Sequence, residues 1–181
     1  MVKVYYYDNV DADPRLPHED PSTPSLTLDA VKPLGVRYWA HDVSSESAYN
    51  AAADAICAER SYKNRDVITI SRSTLPNYDA KIASFFDEHL HEDEEIRFIL
   101  EGSGYFDVRS PDDVWIRIAL VAGEMIVLPA GIFHRFTLDS SDYIKAMRLF
   151  KDDPKWTPLS RSKPETAAVP SRAEFLASLE A

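Results

Sequence analysis

Three of the five histidines fall in two short segments that also carry other metal-binding residue types. The first segment runs His89, Leu90, His91, Glu92, Asp93, Glu94, Glu95, and the second runs Pro129, Ala130, Gly131, Ile132, Phe133, His134. Residues two apart on a strand point to the same face, so His89 and His91 would present two imidazoles side by side. Glu92, Asp93 and Glu94 are too polar for an interior and suit a solvated turn. Glu95 opens the next strand and can swing a carboxylate back towards the two rings. His134 follows a Pro-Ala-Gly turn that ends one strand and starts another. Three imidazoles and one carboxylate would leave two positions of a six-coordinate metal for exchangeable ligands. Imidazole suits iron, nickel, copper and zinc, and the carboxylate shifts the preference towards iron, manganese or nickel. Closed structural zinc sites usually use thiolates, and Cys57 is the one cysteine in the chain. A His-x-His pair on its own is more often not a metal site, so the weight rests on the four residues together.

Positioning those residues calls for a run of short strands. Residues 2–7 (VKVYYY) are β-branched and aromatic and read as a strand. Strands are also expected at 67–72, 95–100, 104–109, 114–121, 125–128, 133–138 and 143–150. Turn signals at 102–104, 111–113, 122–123, 129–131 and 139–142 separate them. Closely spaced short strands of this kind suggest a sandwich or barrel. The segment 11–25 carries four prolines and reads as loop. Helices are expected at 26–34, ending at Gly35, at 44–62, capped by Ser44 or Ser45, and at 79–87. A last helix is expected from Ser171, where Ser171 and Glu174 have capping-box spacing.

The chain has 181 residues, 45% of them hydrophobic and 11% aromatic, which suits one folded domain and leaves little room for a second. The expected division is an N-terminal strand, loop and helices over 1–65, a barrel with the metal motifs over 66–150, and a C-terminal extension over 151–181. The formal net charge of -10 disfavours nucleic acid and anionic lipid as partners. No stretch is long and apolar enough to span a bilayer, and the N-terminus does not read as a signal peptide. A monomer in the cytoplasm is expected, with the nucleus open by size. Cys57 is expected to be a buried structural thiol in a helix, and His18 and His41 ordinary surface or capping residues.

The spacing of the four candidate ligands matches the cupin double motif. His89, His91, Glu95 and Gly102 stand at the positions of its first half, with Ala83 where that half usually opens on Gly. Gly123, Pro129, Gly131 and His134 match the second half, with Leu138 in place of the usual Asn. Finer likeness comes from residues 88–109 (EHLHEDEEIRFILEGSGYFDVR), 115–117 (WIR), 128–136 (LPAGIFHRF), 145–150 (KAMRLF), 154–156 (PKW) and 34–39 (LGVRYW). Over residues 26 to 160 the chain resembles the acireductone dioxygenase family, in its eukaryotic branch.

That resemblance implies a mainly β, cupin-type jelly-roll barrel with peripheral helices. It also implies a role in methionine salvage: cleavage of 1,2-dihydroxy-3-keto-5-methylthiopentene by O₂. With Fe²⁺, one per chain, members of the family give formate and 4-methylthio-2-oxobutanoate. With Ni²⁺ some give methylthiopropanoate, formate and carbon monoxide. An ene-diol chelates a metal through two adjacent oxygens, which the two exchangeable positions would accept. Strand parity turns Arg97 and Ile99 inward with Glu95. Arg97 is therefore the candidate catalytic side chain, binding or polarising a substrate oxygen, with a simple pairing to Glu95 as the alternative. Phe136 shares a face with His134 and would line the pocket. Phe86 and Trp156 are candidates to pack around the methylthio group, and Arg148 is a further anion-binding candidate. Glu101 or Asp107 could serve as a base. The competing readings are another metal-dependent cupin enzyme of oxalate or isomerase type, and a non-catalytic interaction module stabilised by metal.

Overall fold

The computed structural model describes residues 2–180. Ten strands and three α-helices are found among them: β1 (Lys3–Tyr6), β2 (Arg37–Ala40), α1 (Glu46–Arg60), β3 (Asn64–Ser71), α2 (Tyr78–Phe86), β4 (His89–Leu90), β5 (Glu95–Arg109), β6 (Trp115–Val121), β7 (Glu124–Leu128), β8 (His134–Leu138), β9 (Tyr143–Phe150), β10 (Leu159–Ser160) and α3 (Pro170–Leu179). All pairings between these strands are antiparallel. This is the mainly β barrel expected from the motif.

The strand β5 organises the whole. Its first half pairs with β7 and β9, and its second half with β6 and β8. One 15-residue strand therefore stands where two strands and a turn at 102–104 were expected. The reason lies at Gly102. Its φ is +75°, the register shifts between Ile99 and Glu101, and a Cβ on Gly102 would lie 2.3 Å from the Tyr143 carbonyl oxygen. Glycine permits a bend there that other residues resist. The chain bends without turning back and passes from one sheet into the other.

Period-2 alternation on β5 sorts its side chains between two cores. Ile99, Phe106 and Val108 join the barrel interior with Ile118, Ile126 and Leu128. Ile96, Phe98 and Leu100 face outward and pack with Ala53 and Ile56 of α1. A strand covered on both faces reads as a continuous apolar run, as Phe98, Ile99 and Leu100 do here. The helix α1 begins at Ser45, whose hydroxyl accepts from the Ala48 N–H at 3.2 Å. Cys57, expected to be buried, is only half-buried on this helix.

Other local expectations change. Residues 26–34 form two one-turn 3₁₀ helices, Leu28–Ala30 and Lys32–Leu34, rather than one α-helix, with Pro33 in the second. A proline has no N–H to continue the first turn into the second. The capping box at Ser171 does not form: Pro170 starts α3, Val169 is its N-cap, and Ser171 is buried inside the first turn. His18 is no surface residue either. It is buried, stacked on Tyr7 with ring centroids 4.6 Å apart, and its Nδ1 lies 2.7 Å from Asp8 Oδ1.

Candidate metal centre

Each of the four candidate ligands comes from a strand end or the turn beside it. His89 is on β4 and His91 just past it, Glu95 opens β5, and His134 opens β8, directly opposite His89 in register. One donor atom from each of the four lies within 4.8 Å of the others. The three rings pack at centroid separations of 4.5 to 5.3 Å.

Hydrogen bonds to the main chain settle the tautomers of two rings. His89 Nδ1 donates to the Asp87 carbonyl at 2.7 Å, and His134 Nδ1 donates to the Ile132 carbonyl at 3.0 Å. A carbonyl can only accept, so in the neutral ring Nε2 is left with a bare lone pair. Yet His134 Nε2 lies 2.8 Å from Glu95 Oε2, and His91 Nε2 lies 3.0 Å from the same oxygen. A carboxylate oxygen also only accepts. For His134 a lone pair would then face a lone pair, which a cation resolves, either a proton on the ring or a divalent metal with nitrogen and oxygen ligands. The residues therefore fit the metal that their types suggested.

Electrostatics keeps the donors in their binding forms. Burial, reinforced by the neighbouring His134, pushes the His89 ring down to about 4, so its lone pair is free at neutral pH. Burial alone would raise the Glu95 carboxyl. The Arg97 guanidinium, with the contacts from His134 and His91, outweighs it and holds the carboxyl well below the ordinary carboxylate range.

A pocket of about 360 Å³ opens on His89, His91 and Glu95. Its inner wall is apolar, with Ile99, Phe106, Phe136, Ile144 and Ala146. Arg97 lies beside the ligands: its Nη2 is 2.9 Å from Glu95 Oε1, and its Nη1 donates to the Ile96 carbonyl at 2.9 Å. Arg148, directly across the β5–β9 ladder from Arg97, also lines the pocket, and its guanidinium is held by Asp66. Trp156 stands at the pocket, 56% exposed, edge-on to Phe150 and within 5.3 Å of the Arg148 guanidinium. Parity thus places Arg97 and Phe136 where the sequence put them, and brings Arg148 and Trp156 to the same cavity.

Phe86 is a correction. It is absent from this pocket and stacks under the Arg135 guanidinium, 4.0 Å from its ring centroid, on the other side of the barrel wall. Its neighbour Phe85 lines the pocket instead and packs on Phe136. Residues 78–86 are helical, so adjacent side chains diverge by about 100°, and sequence adjacency alone could not choose between the two phenylalanines. Neither candidate base lies in the pocket. Glu101 is exposed and paired with Lys145 at 2.8 Å. Asp107 is buried outside the pocket, taking Arg117 Nε at 2.7 Å and Arg135 Nε at 2.8 Å. Sequence reasoning missed the pocket's aliphatic wall from β3 and β9, including Ile68, Ile70 and Ile144. The alternation in NRDVITIS and YIKAMRLF was the available signal.

With that geometry in place, the chain was compared with known proteins. A sequence model of the ARD/ARD' family matches residues 3–158. The chain is 49% identical to an acireductone dioxygenase of Rattus norvegicus over 97% of its own length and 98% of the relative's. It is 48% identical to acireductone dioxygenase 1 of Coprinopsis cinerea, covering 97% and 96% of the two chains. Among solved structures, its fold is similar to that of an acireductone dioxygenase from Bacillus anthracis with a cadmium ion in the active centre. The TM-score is 0.71 at 24% identity, covering 88% of this chain and 98% of that one.

Proposed function

The chain belongs to the ARD/ARD' family, and from that premise we propose that it is a metal-dependent acireductone dioxygenase of methionine salvage. Its substrates are 1,2-dihydroxy-3-keto-5-methylthiopentene and O₂. The observation that carries the reading is the convergence of His89, His91, Glu95 and His134, three of which (His89, His91 and Glu95) line one pocket. A divalent metal held by these four residues would supply a Lewis acid and a template for the ene-diolate.

The chain's own residues do the rest. An ene-diolate is anionic, and Arg97 and Arg148 put two cations on its pocket. The ion pair to Glu95 and the bond to the Ile96 carbonyl hold the Arg97 guanidinium in place, so it can donate to a substrate oxygen without first being ordered. The apolar wall of Ile99, Phe106, Phe136 and Ile144 suits the methylthioalkyl tail and keeps water from the reacting end. In the cell, Fe²⁺ would give formate and 4-methylthio-2-oxobutanoate. Loading with Ni²⁺ would divert the products to methylthiopropanoate, formate and carbon monoxide. All four ligands and the pocket walls come from one chain, which supports action as a monomer.

The test is oxygen uptake by metal-free protein reloaded with Fe²⁺ and given chemically generated acireductone. Stoichiometric uptake with formate release is expected. No uptake by protein shown to hold iron would sink the assignment.

A further inference from the structure

The three imidazoles are not held alike. His89 and His134 each donate Nδ1–H to the carbonyl two residues back. His91 Nδ1 is buried and meets no protein acceptor. An imidazole that presents Nε2 to a metal carries its proton on Nδ1, and leaving that N–H unmet in the interior is destabilising.

His91 also borders a second, smaller cavity of about 30 Å³, which shares His91, Glu95, Arg97 and Trp156 with the substrate pocket. Its Nε2 belongs to the metal side, which leaves Nδ1 to face the smaller space. That volume suffices for a water, which needs roughly 10–15 Å³ and two or more polar partners. The same cavity is lined by Tyr62 and Glu94. Both Glu94 oxygens are already fixed: Arg60 Nη2 donates to Oε1, and the Tyr62 hydroxyl donates to Oε2 at 2.6 Å. The Arg60 Nε–H is in turn spent on the Tyr62 oxygen at 2.9 Å. Each carboxylate oxygen retains a second lone pair.

We propose that this cavity is a water site through which Glu94 receives the Nδ1–H of His91, making Glu94, braced by Arg60 and Tyr62, a positioning residue for the third imidazole. Two ligand rings are then oriented by the main chain, which mutation cannot remove, and one by a side-chain triad carried by the end of α1, the link to β3 and the turn before β5. The chemistry is that of a carboxylate supporting a metal-bound histidine, with one water interposed. The inference rests on the reading of these residues as metal ligands, and zinc binding by the unaltered chain checks that reading on its own.

The experiment uses the full chain loaded with zinc. Ring ¹⁵N–¹H NMR should give one Nδ1–H resonance for each of the three ligand rings, beside any from His18 and His41. Glu94→Gln is expected to shift one of them, leave two in place, and weaken zinc about tenfold in chelator competition. Tyr62→Phe, which keeps the carboxylate and removes one brace, should shift the same resonance less and weaken zinc about threefold. Asp93→Asn, on the same cavity wall, should leave all three resonances and the affinity as they were. If Glu94→Gln moves none of the resonances, or its zinc affinity stays within twofold of the parent, Glu94 has no such role. The same holds if Asp93→Asn produces the effect instead.

Discussion

Two clusters of buried charge sit on opposite faces of the same pair of strands. Inside the barrel, His134 of β8 meets Glu95, with lone pairs turned towards one another. Outside it, one residue further along β8, Arg135 meets Asp107 of β5. Asp107 also takes two bonds from Arg117, at 2.7 and 3.0 Å, while Arg117 Nη1 donates to the carbonyls of Pro14 and Leu16. The Arg117 guanidinium lies between Tyr7 and Tyr105, 4.5 Å from each ring centroid, and is fully buried. This outer cluster is closed: its carboxylate and its deepest cation are satisfied by protein, and it pins the proline-rich N-terminal loop to the barrel. The inner cluster requires a cation and borders an open pocket. The same residue types do structural work on one face and chemical work on the other, and strand parity, reset on β5 by the register shift between Ile99 and Glu101, assigns them.

The comparison breaks most sharply at the inner cluster's function. His89→Ala should lower kcat/KM at least about a thousandfold, or roughly 4 kcal/mol of transition-state stabilisation. Urea unfolding of the metal-free variant should lie within about 1 kcal/mol of the parent, because no salt bridge is opened. A large loss of folding stability would make the inner cluster structural as well.

The outer cluster should show the reverse pattern. Asp107→Ala leaves the buried Arg117 and the partly buried Arg135 without their carboxylate, and removal of one partner from a buried pair costs about 3–5 kcal/mol. Denaturant unfolding of the metal-free protein measures that loss. The fraction still folded at low temperature should bind zinc as the parent does. Weakened zinc binding in that fraction would mean that the two faces are coupled.

A smaller effect sharpens the contrast through pH. His89 titrates near 4 in the folded metal-free protein against about 6.5 when unfolded. Between those values the unfolded chain binds the extra proton, so stability rises with pH across that window and is lost as pH falls through it. A shift of this size corresponds to roughly 3 kcal/mol at most. The Glu95 carboxyl adds to the loss at still lower pH, since its folded value lies below its unfolded one. Unfolding midpoints of metal-free parent and His89→Ala between pH 4 and 7 check this: the parent's slope should flatten in the variant. Equal slopes would show that His89 is not buried as a neutral base.

Much of the centre could be read from spacing. His-x-His, a turn of three acids and Glu95 at a strand start leave few arrangements, and parity carried Arg97 and Phe136 into the pocket. Helical and bent elements were less legible. Phe85 and Phe86 are adjacent on α2, and which one faces the metal depends on how that helix is rotated against β8. Gly102 read as a turn because glycine serves turns and bends equally well, and only the nearby Tyr143 carbonyl shows which was needed. Ser171 looked like a cap, but Pro170 begins the helix one residue earlier and the serine is buried against Gly131.

By itself the sequence determined the ligand types, their order and the alternation that sends them inward, because those depend on local spacing and on a strand's two-residue period. It also carried the family likeness, in contiguous stretches of residues. What only the tertiary structure decided are the partners: Asp107 with Arg117 and Arg135, Arg148 with Asp66, and His91 with its small cavity. Those contacts join residues 10 to 82 positions apart, or a side chain to an empty space. Local periodicity says which way a side chain points, but what it meets there is set by the packing of distant strands.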